Sequence, residues 1–137
     1  MSSQRKWKIL VALICLMAAI LACGKGYTTT RTRTGDKGKV VLKLANLDGS
    51  DETQIEIDKS FTWDTLALEI VVEVEEGNFQ AEFIDDEGQS LVMEATPGNP
   101  ATGKRNMVTD GLGKITLNSQ GEGTQNVTIT IEYSKIK

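Results

Sequence analysis

The stretch Leu66-Ala67-Leu68-Glu69-Ile70-Val71-Val72-Glu73-Val74-Glu75 decides how this chain folds. Its even positions are all aliphatic, and Glu69, Glu73 and Glu75 occupy odd ones. A repeat of two puts Leu66, Leu68, Ile70, Val72 and Val74 on one side of an extended strand and the carboxylates on the other. One face is buried and one solvated, as in an antiparallel sheet packed on a single side. Working outward, the same alternation runs through Val40, Leu42 and Leu44, then Ile55 and Ile57. It returns in Phe79, Ala81 and Phe83, in Leu91 and Met93, in Ile115 and Leu117, and in Val127, Ile129, Ile131 and Tyr133. No stretch after Cys23 carries the apolar stripe of a helix.

Turn chemistry separates these runs. Gly77-Asn78 and Glu87-Gly88 each sit between two of them, close enough for a tight hairpin. If Gly77 and Asn78 form a loop, either Glu82 or Gln80 faces Glu73 across it, and two carboxylates opposed in a sheet repel. Asp48-Gly49, Asp110-Gly111 and Gly121-Glu122-Gly123 mark further turns. The longest irregular segment is 96–106, which holds Pro97 and Pro100 and is long enough to carry the chain from one sheet to another. The expectation is an all-β fold: an antiparallel β-sandwich, jelly-roll or Ig-like, of seven to eight strands.

The first 23 residues read differently. Arg5, Lys6 and Lys8 precede an uncharged run from Ile9 to Ala22, and Cys23 follows Ile20-Leu21-Ala22. That run is shorter than the about 20 residues a bilayer crossing needs, and its positive flank suits a secretory signal. The segment resembles the signal peptide of bacterial lipoproteins, with Ala22 as the small residue before the cleavage and Cys23 as the lipid-bearing cysteine. The resemblance implies a diacylglyceryl thioether on Cys23 and a further acyl chain, such as palmitate, on the new amino terminus. Two or more chains hold a protein to a membrane where one is marginal. It also implies a lipid anchor in the bacterial cell membrane or outer membrane, with the domain facing periplasm or exterior. The expected organisation is a signal peptide at 1–22, a lipidated N-terminus and flexible tether at 23–38, and a β-sandwich domain at 39–137. Within the tether, the alternating residues 28–34 suit an edge strand equally well, because threonine favours strands. Removing 1–23 also takes Cys15 with the signal, so the remaining domain holds no disulfide.

From Gly77-Asn78-Phe79 through Asp85-Asp86-Glu87-Gly88, and again over 113–133, the chain loosely resembles CUB-like or pre-peptidase jelly-roll modules. The shared elements are a strand, an Asp-x-x-Gly turn and a strand pair around a Gly-rich turn. The resemblance implies a sandwich with a non-catalytic accessory role, and it transfers no functional residue.

Charge is unevenly placed. The whole chain carries −4, and the part after Cys23 carries −7, since the first 23 residues hold three bases and no acid. Five bases lie within 24–39 against Asp36 alone, whereas 44–103 hold 15 acids against Lys59. A basic neck beside an anionic membrane and an acidic body turned away from it is the expected arrangement. So acidic a body argues against nucleic acid, whose phosphates need a basic surface.

The chain has no histidine, which removes the usual base for a Ser or Cys nucleophile and the commonest transition-metal ligand. Ca²⁺ is the ion whose oxygen ligands are present, from Asp48, Asp51 and Glu52 in one acidic turn and Asp85, Asp86 and Glu87 in another. The spacing matches no EF-hand, and solvated hairpins carry such acids ordinarily. Phe61 and Trp63, two apart in an extended segment, project to one side, either into the core or outward to stack on a sugar ring or anchor a protein. Lys104 and Arg105, at the end of the long irregular segment, are placed to contact an anionic ligand or simply water. Asn126-Val127-Thr128 matches a glycosylation sequon of little meaning in a bacterial lipoprotein.

Together these readings lead to a membrane-anchored, non-catalytic lipoprotein whose acidic sandwich binds a protein or glycan in the cell envelope or at the surface. Two alternatives stay open: a calcium-dependent carbohydrate-binding module using Phe61 and Trp63, and an inhibitor of a cationic enzyme such as lysozyme.

Overall fold

The computed structural model describes residues 27–136. Six antiparallel strands make up nearly all of it: β1 (Tyr27–Thr34), β2 (Lys37–Glu56), β3 (Thr65–Ile84), β4 (Ser90–Ala95), β5 (Ala101–Val108) and β6 (Lys114–Lys135). β6 is central and pairs with β2 on one side and β3 on the other along almost its whole length. β1 adds to β2, and β4 and β5 both add to β3 at different heights.

Three of these strands are too long to be straight. A 20-residue strand such as β3 would extend about 66 Å, roughly twice the width of a domain this size. The sheet instead folds over on itself, and its three long strands irregularise at one level to allow it. Register shifts fall between Leu47 and Gly49 in β2 and between Glu76 and Asn78 in β3, both opposite residues 121–125 of β6. Gly49 (φ 108°), Gly77 (φ 76°), Gly123 (φ 55°) and Asn126 (φ 55°) lie along this line. Bulges that add one residue bend a strand and let it pass from one sheet to another. The result is a β-sandwich made by creasing one sheet. A five-strand layer runs β1-β2-β6-β3-β5 and a four-strand layer runs β2-β6-β3-β4. Contacts between the layers show the closure: the hydroxyls of Tyr27 and Ser119 lie 2.8 Å apart, and Asp86 N–H donates to Val108 O at 3.0 Å.

The crease explains a change of parity along the chain. Leu66 to Val74 bury even positions, while Phe79, Ala81 and Phe83 bury odd ones, because one inserted residue shifts the alternation. Both sets point into a single core with Val40, Leu42, Ile55, Leu117, Ile129 and Ile131. The crease is tight: a Cβ at Gly77 would sit 2.5 Å from the carbonyl oxygens of Glu122 and Gly123.

Several expectations change accordingly. Gly77-Asn78 is a bulge inside β3, not a hairpin loop, so Glu73 and Glu82 do not oppose each other: Glu73 pairs with Thr128 and Glu82 with Asn118. Asp48-Gly49 and Gly121-Glu122-Gly123 are likewise creases within strands. Glu87-Gly88 does lie in the β3–β4 hairpin, and Asp110-Gly111 in the turn before β6. The irregular stretch expected over 96–106 shrinks to 96–100, because residues 101–108 are β5. That short turn still moves the chain from the four-strand to the five-strand layer. Residues 27–34 form the edge strand β1 rather than a tether. Ala22, Cys23 and the expected signal peptide lie outside the described residues.

Candidate functional site

The outer face of the four-strand layer collects the features of a binding surface. Its cross-strand rows follow from register: Ser50, Gln120, Gln80 and Glu94 make one, and Glu52, Asn118, Glu82 and Val92 the next. Within each row, side chains on neighbouring strands stand within interacting distance of one another. Three carboxylates and three carboxamides are thus interleaved on one face, flanked by Val92, which is 53% exposed. Two shallow hollows of about 560 and 280 Å³ lie over these rows and meet at Gln80 and Gln120. Glu52, Glu82 and Glu94 have no ion-pair partner among the described residues. Such a face can accept hydrogen bonds and positive charge from a ligand at several points at once.

The outer face of the five-strand layer is organised differently. One row reads Thr32, Lys39, Glu132, Glu69, Lys104. The two adjacent glutamates would repel, but a lysine stands opposite each on its far side, and Lys104 Nζ lies 3.9 Å from Glu69 Oε1. This row, beside a hollow of about 650 Å³, is neutralised from within. Each of its carboxylates has a lysine opposite it in register, which Glu52, Glu82 and Glu94 lack among the described residues.

The structure separates residues that the sequence groups together. Phe61 is buried, edge-on to Tyr133 with ring centroids 6.2 Å apart, and the Arg33 guanidinium lies 4.6 Å over its ring. Trp63 is 70% exposed. Its backbone takes φ 48°, a left-handed conformation uncommon for a bulky residue, which turns its side chain away from that of Phe61. Trp63 N–H donates to Asp110 O at 3.0 Å, and a Cβ at Gly111 would sit 2.6 Å from the indole. Leu112, next in the turn, is 62% exposed. Lys104 and Arg105 do not act together, since neighbours in a strand face opposite ways: Lys104 faces Glu69, and Arg105 donates to Gln89 Oε1 at 3.1 Å.

The acidic turns do not converge on a cation. Asp85 Oδ1 accepts from the N–H groups of Glu87 and Gln89, and Oδ2 accepts from Val108 N–H. A carboxylate so engaged holds the β3–β4 turn against β5, while Asp86 and Glu87 lie exposed. Asp48 belongs to the crease, where Oδ1 accepts from Gly123 N–H at 3.4 Å. Asp51 and Glu52 project from opposite faces of β2. Among the described residues no group of three or more candidate ligands could hold a metal ion. Nor is the neck a free basic patch. Arg31 and Arg33 face inward from β1, Arg31 pairing with Glu56 at 3.5 Å and Arg33 with Asp58 at 3.3 Å.

Nothing in the sequence marks the carboxamides Gln80, Asn118 and Gln120 as sharing one face. Their signal is weak: each takes a solvent-facing place in an alternating run, and only register brings three strands' worth together.

No protein-family model and no curated protein matches the chain. Solved structures do. A Bacillus endospore appendage that forms disulfide-linked pili is 17% identical, with 82% of this chain and 94% of that one covered and a TM-score of 0.46. Oxalate oxidase in complex with glycolate is 10% identical, covering 82% of this chain and 52% of that one, with a TM-score of 0.45. A CBM4 structure is 9% identical, covering 85% and 83%, with a TM-score of 0.37. The chain therefore spans about half the length of the oxidase. At these identities the likeness concerns the fold alone.

Proposed function

We propose that this protein is a lipid-anchored, non-catalytic binding module of a bacterial cell envelope, and that the outer face of the four-strand layer receives a cationic partner. One observation carries the reading: among the described residues, Glu52, Glu82 and Glu94 stand without counter-charges, interleaved with carboxamides on a single sheet face. Unpaired carboxylates gathered on one face repel each other, and a basic partner removes that repulsion while its charge steers association. The anchor rests on the lipobox ending at Cys23. From that residue to Tyr27 the chain reaches at most about 14 Å, so the domain would stand against the membrane. The test is retention of envelope proteins by the immobilised protein at low salt. The triple change Glu52→Gln, Glu82→Gln, Glu94→Gln is expected to abolish retention, and equal retention by both proteins rejects the reading. For the anchor, globomycin should accumulate uncleaved precursor and Cys23→Ala should remove the lipid; unaltered processing in both rejects it.

A second reading rests on Trp63. An exposed indole is a platform for the apolar face of a sugar ring, and this version needs neither Phe61 nor calcium. Glycan-array binding that disappears in Trp63→Ala and survives EDTA would favour it over the first reading.

A further inference from the structure

The four-strand layer ends in a bare strand. Among the described residues β1 covers β2 only from Lys37 to Leu44, and no strand follows beside residues 49–56. At the end of this stretch Ile57 N–H donates to Gly113 O on the β6 side, while Glu56 O accepts from Arg31 on the other. Backbone groups alternate sides along a strand, so Ser50, Glu52 and Gln54 turn their N–H and C=O groups away from β6, toward the open edge. Above that edge β1 overhangs from the five-strand layer. Between them runs a slot of about 310 Å³ lined by Tyr27, Thr29, Thr53 and Gln54, with Arg31, Glu56 and Lys114 at the end away from Glu52. An unpaired edge of this kind is a template for another strand.

We infer that residues 49–56 take up an extended basic peptide by strand addition, which would make it the fifth strand of the four-strand layer. This deepens the function proposed above and rests on it. The charge pattern selects the guest. A strand laid on this edge would prolong the row Glu52, Asn118, Glu82, so the guest side chain beside Glu52 meets unpaired negative charge. Stretch 48–56 carries no base, and since Glu56 is already paired with Arg31 the selection falls on Glu52. Opposite charges directly across a sheet stabilise it, and like charges do the reverse. Main-chain bonds would supply affinity, and lysine or arginine at alternate guest positions would supply selectivity.

The experiment uses the full-length chain in detergent micelles, with a fluorescent nonapeptide of alternating lysine and valine and its glutamate counterpart. Binding is read by anisotropy and by amide hydrogen exchange. The lysine peptide is expected to bind, and the glutamate peptide not. Amides of Ser50, Glu52 and Gln54 should gain at least tenfold protection at saturation, with little change at Thr53 and Ile55. Gln54→Pro deletes an N–H that serves no bond within the sheet and should weaken binding at least tenfold, whereas Gln54→Ala keeps it. If Gln54→Pro loses its β-sheet circular dichroism, Ser50→Pro is read in its place. Unchanged edge amides at saturating peptide overturn the inference. If binding is then lost on Glu82→Gln, the cationic-partner reading still stands without the edge. If the lysine peptide does not bind at all, both fall. A peptide-free dimer that protects the same amides assigns the edge to a second copy and overturns the peptide.

Discussion

Asp58 and Tyr133 tie three elements together at the end of the sandwich away from the crease. Tyr133 O–H donates to Asp58 Oδ2 at 2.8 Å, Ser60 N–H donates to Oδ1 at 2.9 Å, and Arg33 lies 3.3 Å away. Burial alone would raise the Asp58 carboxyl, but the hydrogen bonds from Ser60 and Tyr133 with the Arg33 charge outweigh it and hold the group below its ordinary value. Burial, then the Asp58 hydrogen bond and charge, push Tyr133 up to about 12. A lowered carboxyl adds stability above its unfolded value of 3.8, and that stability disappears as pH falls through the folded value. A raised phenol adds stability below 10 that is lost as pH climbs toward about 12. Urea midpoints measured against pH should therefore fall on both flanks. Tyr133→Phe should cost about 1–3 kcal/mol, since it leaves a buried carboxylate oxygen without its donor. It should also flatten the alkaline flank, though not abolish it, because Tyr27 is pushed up to about 12 by its own burial. Gly38→Ala should act on the same cluster, because its Cβ would overlap the Tyr133 ring. Overpacking of that sort costs about 1–3 kcal/mol, readable as a lower denaturation midpoint.

At the scale of the element, the crease is the feature on which the sandwich depends. Gly77 and Gly88 have similar positive φ, 76° and 82°, yet different surroundings. A Cβ at Gly77 meets Glu122 and Gly123 backbone at 2.5 Å, whereas nothing lies within 4 Å of one at Gly88. Both alanine substitutions should carry the left-handed penalty of about 1–2 kcal/mol. Gly77→Ala should carry a further ~1–3 kcal/mol of overpacking, so its denaturation midpoint should fall well below that of Gly88→Ala. Equal losses would mean that the crease relaxes as freely as an exposed turn. Here the sequence was partly legible. The switch from even to odd burial between Val74 and Phe79 is visible without a structure, and it marks one inserted residue. A glycine of positive φ serves a hairpin and a bulge equally well, so local chemistry at Gly77-Asn78 does not choose between them. Pairing with β6 on both sides of the glycine does.

For the whole molecule, the crease and the loops define two ends. Tyr27 pairs with Leu44, a few residues from the crease. Trp63 and Leu112 lie on the turns at the opposite end. A lipid on Cys23 would therefore bring the creased end to the membrane and hold Trp63 away from it. Trp7 and Trp63 are the chain's two tryptophans, and Trp7 falls within residues 1–22, which the proposed processing would remove. In vesicles carrying the processed protein, iodide in the aqueous phase should quench the fluorescence and brominated lipid should not. The reverse result would place the Trp63 end in the bilayer.

Alternation by itself settled the class of fold and which face of each strand is buried, because burial of one side of a pleated strand is written every second residue. The residues it assigns to the core, from Val40 through Tyr133, are buried almost without exception. Only the tertiary structure decided that six strands do the work of more by folding over a shared crease. It alone set Phe61 and Trp63 on opposite fates, and it alone brought Glu52, Glu82 and Glu94 onto one face. Those outcomes depend on register between segments tens of residues apart and on single backbone angles. Neither leaves a periodic trace in the chain.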